Sequence, residues 1–101
     1  MSSASIRSGG EDVLLLSGEV VIASVPRLLA EAQELFAGRS QVVVDLSEVK
    51  RVDSSGLALM LEWLQLARAQ KILLQFRNIP ASLLRIARLS NVEELLPLEA
   101  G

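Results

Sequence analysis

Asp53-Ser54-Ser55-Gly56 places a carboxylate and two hydroxyls within three consecutive residues, the densest set of reactive groups in the chain. Just before a helix, each type has a physical use. Asp53 or Ser54 can accept a hydrogen bond from an orphan amide of the first turn, and the carboxylate suits the positive end of the helix dipole. A serine there can also carry a phosphate, adding up to roughly −2 charge at an end that attracts anions. Gly56 lets the backbone come close to another surface. Eight residues earlier, Asp45 offers a second carboxylate. The two could serve as general base for a serine or as ligands of a Mg²⁺ ion. Against catalysis, Asp45 falls in a strand that should be buried, and capping is a sufficient role for Asp53. The expectation is therefore a protein with no enzymatic activity, no metal and no cofactor.

The rest of the composition supports that reading. The 101 residues include no His, Cys or Tyr, and the lysines are Lys50 and Lys71 alone. Ser-His-Asp and Cys-His nucleophilic sites, His/Cys zinc sites, disulfides and thiol redox chemistry are thereby excluded. The length suits one domain, residues 1–101, with 1–10 as a weak first strand or flexible start. Half of the chain is apolar, and it is aliphatic, with 20 leucines against Phe36, Trp63 and Phe76. Net charge is −2, yet residues 63–92 hold Arg68, Lys71, Arg77, Arg85 and Arg88 without a single acid. Such a stretch is a solvated face or a contact for an acidic partner or anionic surface. Few aromatics and an acidic total argue against nucleic acid. The longest uninterrupted apolar run, Leu57 to Leu61, is far short of the roughly 20 residues that span a bilayer. Met1 to Ser5 lacks the apolar stretch of a secretory signal, so a cytoplasmic location without membrane insertion is expected.

These residues need elements to position them. A weak strand is expected around Ile6, and Val13 to Ser17 reads as a strand closed by Gly18. Ser24 is a candidate N-cap for a helix carrying Val25, Leu28, Leu29, Ala32, Leu35 and Phe36, stopped by Gly38. Gln41 to Leu46, with Val42-Val43-Val44, reads as a central strand covered on both sides. A turn then leads to Asp53 and a helix from about Ser55 to Gln70. Ile72 to Phe76 is a short strand, and a third helix runs from Pro80 to Ser90-Asn91. Leu95 to Pro97 close the chain as a short strand or turn. The order β-β-α-β-α-β-α predicts an α/β domain with a mixed four- to five-stranded sheet.

The helix after Asp53 is unusual. On a wheel, Leu57, Met60, Leu61 and Leu64 form one apolar face, and Leu59, Trp63 and Leu66 form a stripe beside it. Together they cover about 220°, whereas a helix on one face of a small sheet needs nearer 100°. The stripe packs on an adjacent helix or faces a partner protein. The stripe is expected to face a partner, because large apolar patches are seldom left in water. Asp53, Ser54, Ser55, Gly56, Leu59, Trp63 and Leu66 are thus the candidate partner-binding residues.

Val42-Val43-Val44-Asp45-Leu46-Ser47, a spacer with Val49 and Val52, then Asp53-Ser54-Ser55-Gly56-Leu57 resembles the signature of the STAS domain. Leu16-Ser17-Gly18-Glu19 resembles that family's second-strand motif, so the likeness spans about residues 10 to 97. It implies a mixed sheet with helices on one side and no catalysis. Within the family, Gly56 to Leu64 looks most like the small STAS subunit of Mla-type ABC transporters, which move phospholipid to maintain outer-membrane lipid asymmetry. That resemblance implies a cytoplasmic subunit that binds the transporter's ATPase and meets the membrane permease only through the complex. Ser54 then falls at the ATPase contact. Ser55 falls on the serine that is phosphorylated in anti-sigma factor antagonists, the alternative branch. Antagonists usually carry an acid two positions after Gly-Glu, where this chain has Val21 within Val20-Val21-Ile22.

Overall fold

A computed structural model describes residues 4–99; residues 1–3 of the expected N-terminal stretch, and 100–101, lie outside the described residues. Hydrophobic alternation builds the sheet. β1 (Ser5–Gly10) and β2 (Val13–Val20) form an antiparallel hairpin. β3 (Gln41–Val52) and β4 (Leu73–Arg77) then add in parallel, in the order β1-β2-β3-β4. Parallel neighbours require crossovers, and these are α1 (Val25–Phe36) and α2 (Ser54–Ala69). After β4 comes α3 (Ala81–Leu89). The returning tail lies along the outer edge of β4, where Phe76 and Leu98 form a parallel bridge. The expected α/β domain with a mixed sheet is what forms.

One face of the sheet is dry. Leu14, Leu16, Val20, Val42, Val44, Leu46, Leu74 and Phe76 are buried there with Leu28, Ala32, Phe36, Met60, Leu83 and Ala87 of the helices. The opposite face carries Arg7, Leu15, Val43, Asp45, Gln75 and Arg77, and no helix covers it. The expectation that β3 would be covered on both sides is therefore corrected. Val43 is only half-buried, flanked by Val13 and Gln75 on the neighbouring strands.

Three local expectations change as well. Gly18 does not end β2; its φ of +86° accommodates a register shift inside a strand that continues to Val20. β3 runs through Ser47 to Val52, where a turn was expected, because two such shifts let its extra residues follow β2 to the end of the sheet. Ser24 does not cap α1. Its hydroxyl turns back on Val21, accepting from the N–H at 3.1 Å and donating to the carbonyl at 2.8 Å. Gly38 and Asn91 follow α1 and α3 with positive φ, where the sequence places the two helix ends.

The first shift also explains Asp45, which is 5% exposed despite its charge. An extra residue in a strand leaves an amide without a ladder partner. Asp45 Oδ1 takes the Ser47 N–H at 2.8 Å, Oδ2 takes Arg77 Nε at 2.9 Å, and Asn78 Nδ2 lies 3.3 Å from Oδ1. Burial pushes the carboxyl up, but the donors from Ser47, Arg77 and Asn78 outweigh it and hold the pKa at about 2. Arg77 also reaches Glu99, so this cluster ties β3, β4 and the tail together.

Candidate protein-docking site

α2 lies between α1 and α3 on the dry face. Its buried line runs through Gly56, Met60, Trp63 and Ala67, with Leu57 and Leu59 beside it and Leu61, Leu64 and Leu66 half-buried at the margins. The wide apolar arc is thus the signature of a helix with neighbours on both sides as well as a sheet below. Trp63 and Leu59 are each 0% exposed, and the Trp63 ring meets Phe36 of α1 at a centroid distance of 6.4 Å. The reading of Leu59, Trp63 and Leu66 as an exposed partner-facing stripe is corrected. Two are core residues and Leu66 is half-buried. The water-facing side of α2 consists of Ser54, Ala58, Glu62, Gln65, Arg68 and Ala69.

Asp53 stands at the carboxyl end of the parallel strands. Its N–H donates to the Val20 carbonyl at 3.3 Å, which extends the β2–β3 pairing by one step. Extended backbone at Asp53 (φ −114°, ψ −171°) turns the chain into α2. Its carboxylate accepts from the Ser55 N–H at 2.9 Å, the N-cap bond that the sequence predicts. The Ser55 hydroxyl donates to the same carboxylate, and that bond does most to lower its pKa. Burial opposes the shift, while the Ser55 amide and, less, the nearby Ile22 amide and Arg51 charge reinforce it. Asp53 therefore joins the start of α2 to the end of β2, which leads straight into the 3-10 turn Ile22–Ser24.

Gly56 is buried and faces its own chain. A Cβ there would lie 2.3 Å from Val52 Cγ2 and 3.6 Å from Val20 Cγ1. Its bareness lets α2 sit down on β2 and β3, so the expectation of partner contact at Gly56 is replaced by a packing role. Ser55 is half-buried, and Asp53 and Ser54 are exposed. Of the seven predicted partner-binding residues, the structure leaves those two fully on the surface.

Sequence reasoning missed Ile22, which is 76% exposed beside Asp53. The signal was the apolar run Val20-Val21-Ile22, noticed only as a missing acid. Asp45 and Asp53 are not brought to one centre; each is engaged by its own partners. Among the described residues no group of three His, Cys, Asp or Glu could hold a metal ion, and no helix is long and apolar enough to cross a membrane. The basic stretch is partly neutralised, since Arg77 pairs with Asp45 and Glu99, and Arg88 with Glu93.

A four-stranded mixed sheet with three helices on one face, and a capped helix start exposed at the strand ends, define a small single α/β domain. The chain belongs to the STAS family described as "Mlab, STAS domain", which it matches over residues 4–97. No curated protein matches it. Among solved structures it is similar to the anti-sigma factor antagonist SpoIIAA in its unphosphorylated form. The TM-score is 0.71 at 11% identity, covering 97% of this chain and 89% of that one. An anti-sigma-factor antagonist (STAS) domain protein from Planctomyces limnophilus gives 0.72 at 17% identity, covering 95% and 90%. An anti-sigma factor antagonist from Mycobacterium paratuberculosis gives 0.62 at 17%, covering 100% and 87%. At these identities the likeness shows the fold.

Proposed function

We propose that this chain is the non-enzymatic STAS subunit of an Mla-type ABC transporter. It binds the cytoplasmic ATPase and supports its assembly and activity in phospholipid transport and outer-membrane lipid asymmetry. The observation that carries the reading is the exposed, rigidly capped Asp53–Ser54 corner, set in a chain that matches the Mlab family along nearly its whole length. A corner held by backbone hydrogen bonds presents a fixed shape, which lowers the entropy cost of docking. Ser54 projects at its centre and takes no part in the cap, so it can be changed without disturbing the fold. Ser54→Arg is expected to weaken a copurified complex with the ATPase at least about tenfold and to lower its ATP turnover, as bulk and charge at an interface centre do. A complex indifferent to the change would sink the proposal.

A second reading, an anti-sigma factor antagonist switched at Ser55, is favoured by the position of that serine in the first turn of α2. Its hydroxyl already donates to Asp53, so a phosphate there would face a carboxylate and break the cap from within. Incubation with a cognate serine kinase and ATP, followed by mass spectrometry, separates the readings. Transporter function predicts an unmodified Ser55, and stoichiometric phosphorylation would favour the antagonist.

A further inference from the structure

Ile22 is the most exposed large apolar side chain near the proposed docking corner, and its placement is not loose. The Ser24 N–H donates to the Val21 carbonyl at 2.9 Å, the Ser24 hydroxyl closes the turn on Val21, and the Asp53 N–H on the Val20 carbonyl at 3.3 Å fixes the start of the turn beside the corner. The turn is uncharged from Val20 to Pro26 and presents Ile22, Ala23 and Pro26 to solvent. Resting on the transporter reading above, we infer that Ile22 is the apolar anchor by which this chain seats in a hydrophobic pocket of the ATPase subunit.

Three observations fix the occupant's chemistry. The turn follows directly on Val20, whose carbonyl accepts the Asp53 N–H, so it adjoins the Asp53–Ser54 corner and one partner covers both. An uncharged turn calls for an apolar pocket, because a charged one would lose its hydration against Ile22 without gaining a partner. Lys50 beside the corner is exposed and in no ion pair among the described residues, whereas Arg51 stands opposite Glu19 and near Asp53, so an acidic group on the pocket's rim would pair with Lys50. The backbone that carries Ile22 is held in advance, so ordering the turn costs little on binding, the property expected of an anchor. Leu73, which is also exposed, begins β4 at the opposite end of the parallel strands. Leu89 is exposed on α3 beside the Arg88–Glu93 pair and serves as a control.

The test is titration of the purified ATPase subunit with the full chain and four variants. Ile22→Ser is expected to bind at least about tenfold more weakly, as loss of a buried anchor does. Ile22→Val should stay close to the parent, and Leu89→Ser should match it. An unchanged melting temperature of Ile22→Ser would show that the fold is intact. If Ser54→Arg loses binding while Ile22→Ser retains it, the anchor is refuted and the transporter reading stands. If neither variant differs from the parent, or the parent does not bind, that reading fails and the anchor with it.

Discussion

Trp63→Ala is expected to destabilise the domain by about 3–5 kcal/mol, the cost of emptying a large, well-packed core site. That is a large share of the total for a domain of this size, since folded proteins hold only about 5–15 kcal/mol. The ring lies in the centre of the helix layer against Phe36, so its removal loosens α1 and α2 together. Its indole N–H is buried without an acceptor among the described residues, a feature that costs stability. Trp63→Phe removes the unsatisfied donor along with some volume, and the two effects oppose each other. It should fall within about 1.5 kcal/mol of the parent. Urea denaturation of both variants measures the difference. An Ala variant as stable as the parent would return Trp63 to the surface, and with it the discarded interface.

Asp45→Asn has the second largest expected effect, about 2–3 kcal/mol at neutral pH. It removes the charge from a buried cluster and leaves Arg77 with Glu99 as its remaining carboxylate. The same carboxyl sets a pH dependence. Its folded pKa of about 2 lies below the ordinary 3.8, so the folded state binds this proton less tightly than the unfolded chain. Its contribution is complete above about pH 4 to 5 and is lost as pH falls through about 2, amounting to about 2 kcal/mol. Stability measured from pH 6 down to pH 2 should therefore fall less steeply in Asp45→Asn than in the parent. Equal slopes would mean that Asp45 carries no native-state pairing.

The order of elements was legible because each has a strong local signal. Val42 to Val44 is β-branched and apolar, Gly38 and Asn91 mark helix ends, and Asp53 sits where an N-cap belongs. The second half of β3 was not legible. Ser47-Glu48-Val49-Lys50-Arg51 looks like a turn because its charges face the uncovered side of the sheet, and the register shifts that let it pair depend on β2. Trp63 was misplaced for a related reason. A helical wheel gives the width of an apolar arc but not how many neighbours fill it, and α2 has a helix on each side. The surface side of the same problem was Ile22, where an apolar residue beyond a strand end was seen as a missing acid rather than as an exposed side chain. The N-cap at Asp53 was legible because a capped helix start is a local feature, fixed by residues adjacent in sequence.

In the proposed function, one end of the domain, built from the Ile22–Ser24 turn and the start of α2, docks on an ATPase subunit. Amide hydrogen exchange of the chain, alone and with the purified ATPase, tests it most directly. The expected result is slower exchange on complex formation in residues 21–25 and 53–62, with residues 85–95 at the far end of α3 unchanged. Protection confined to residues 85–95 or to the open face of the sheet, with the Asp53–Ser54 corner exchanging as before, would contradict it.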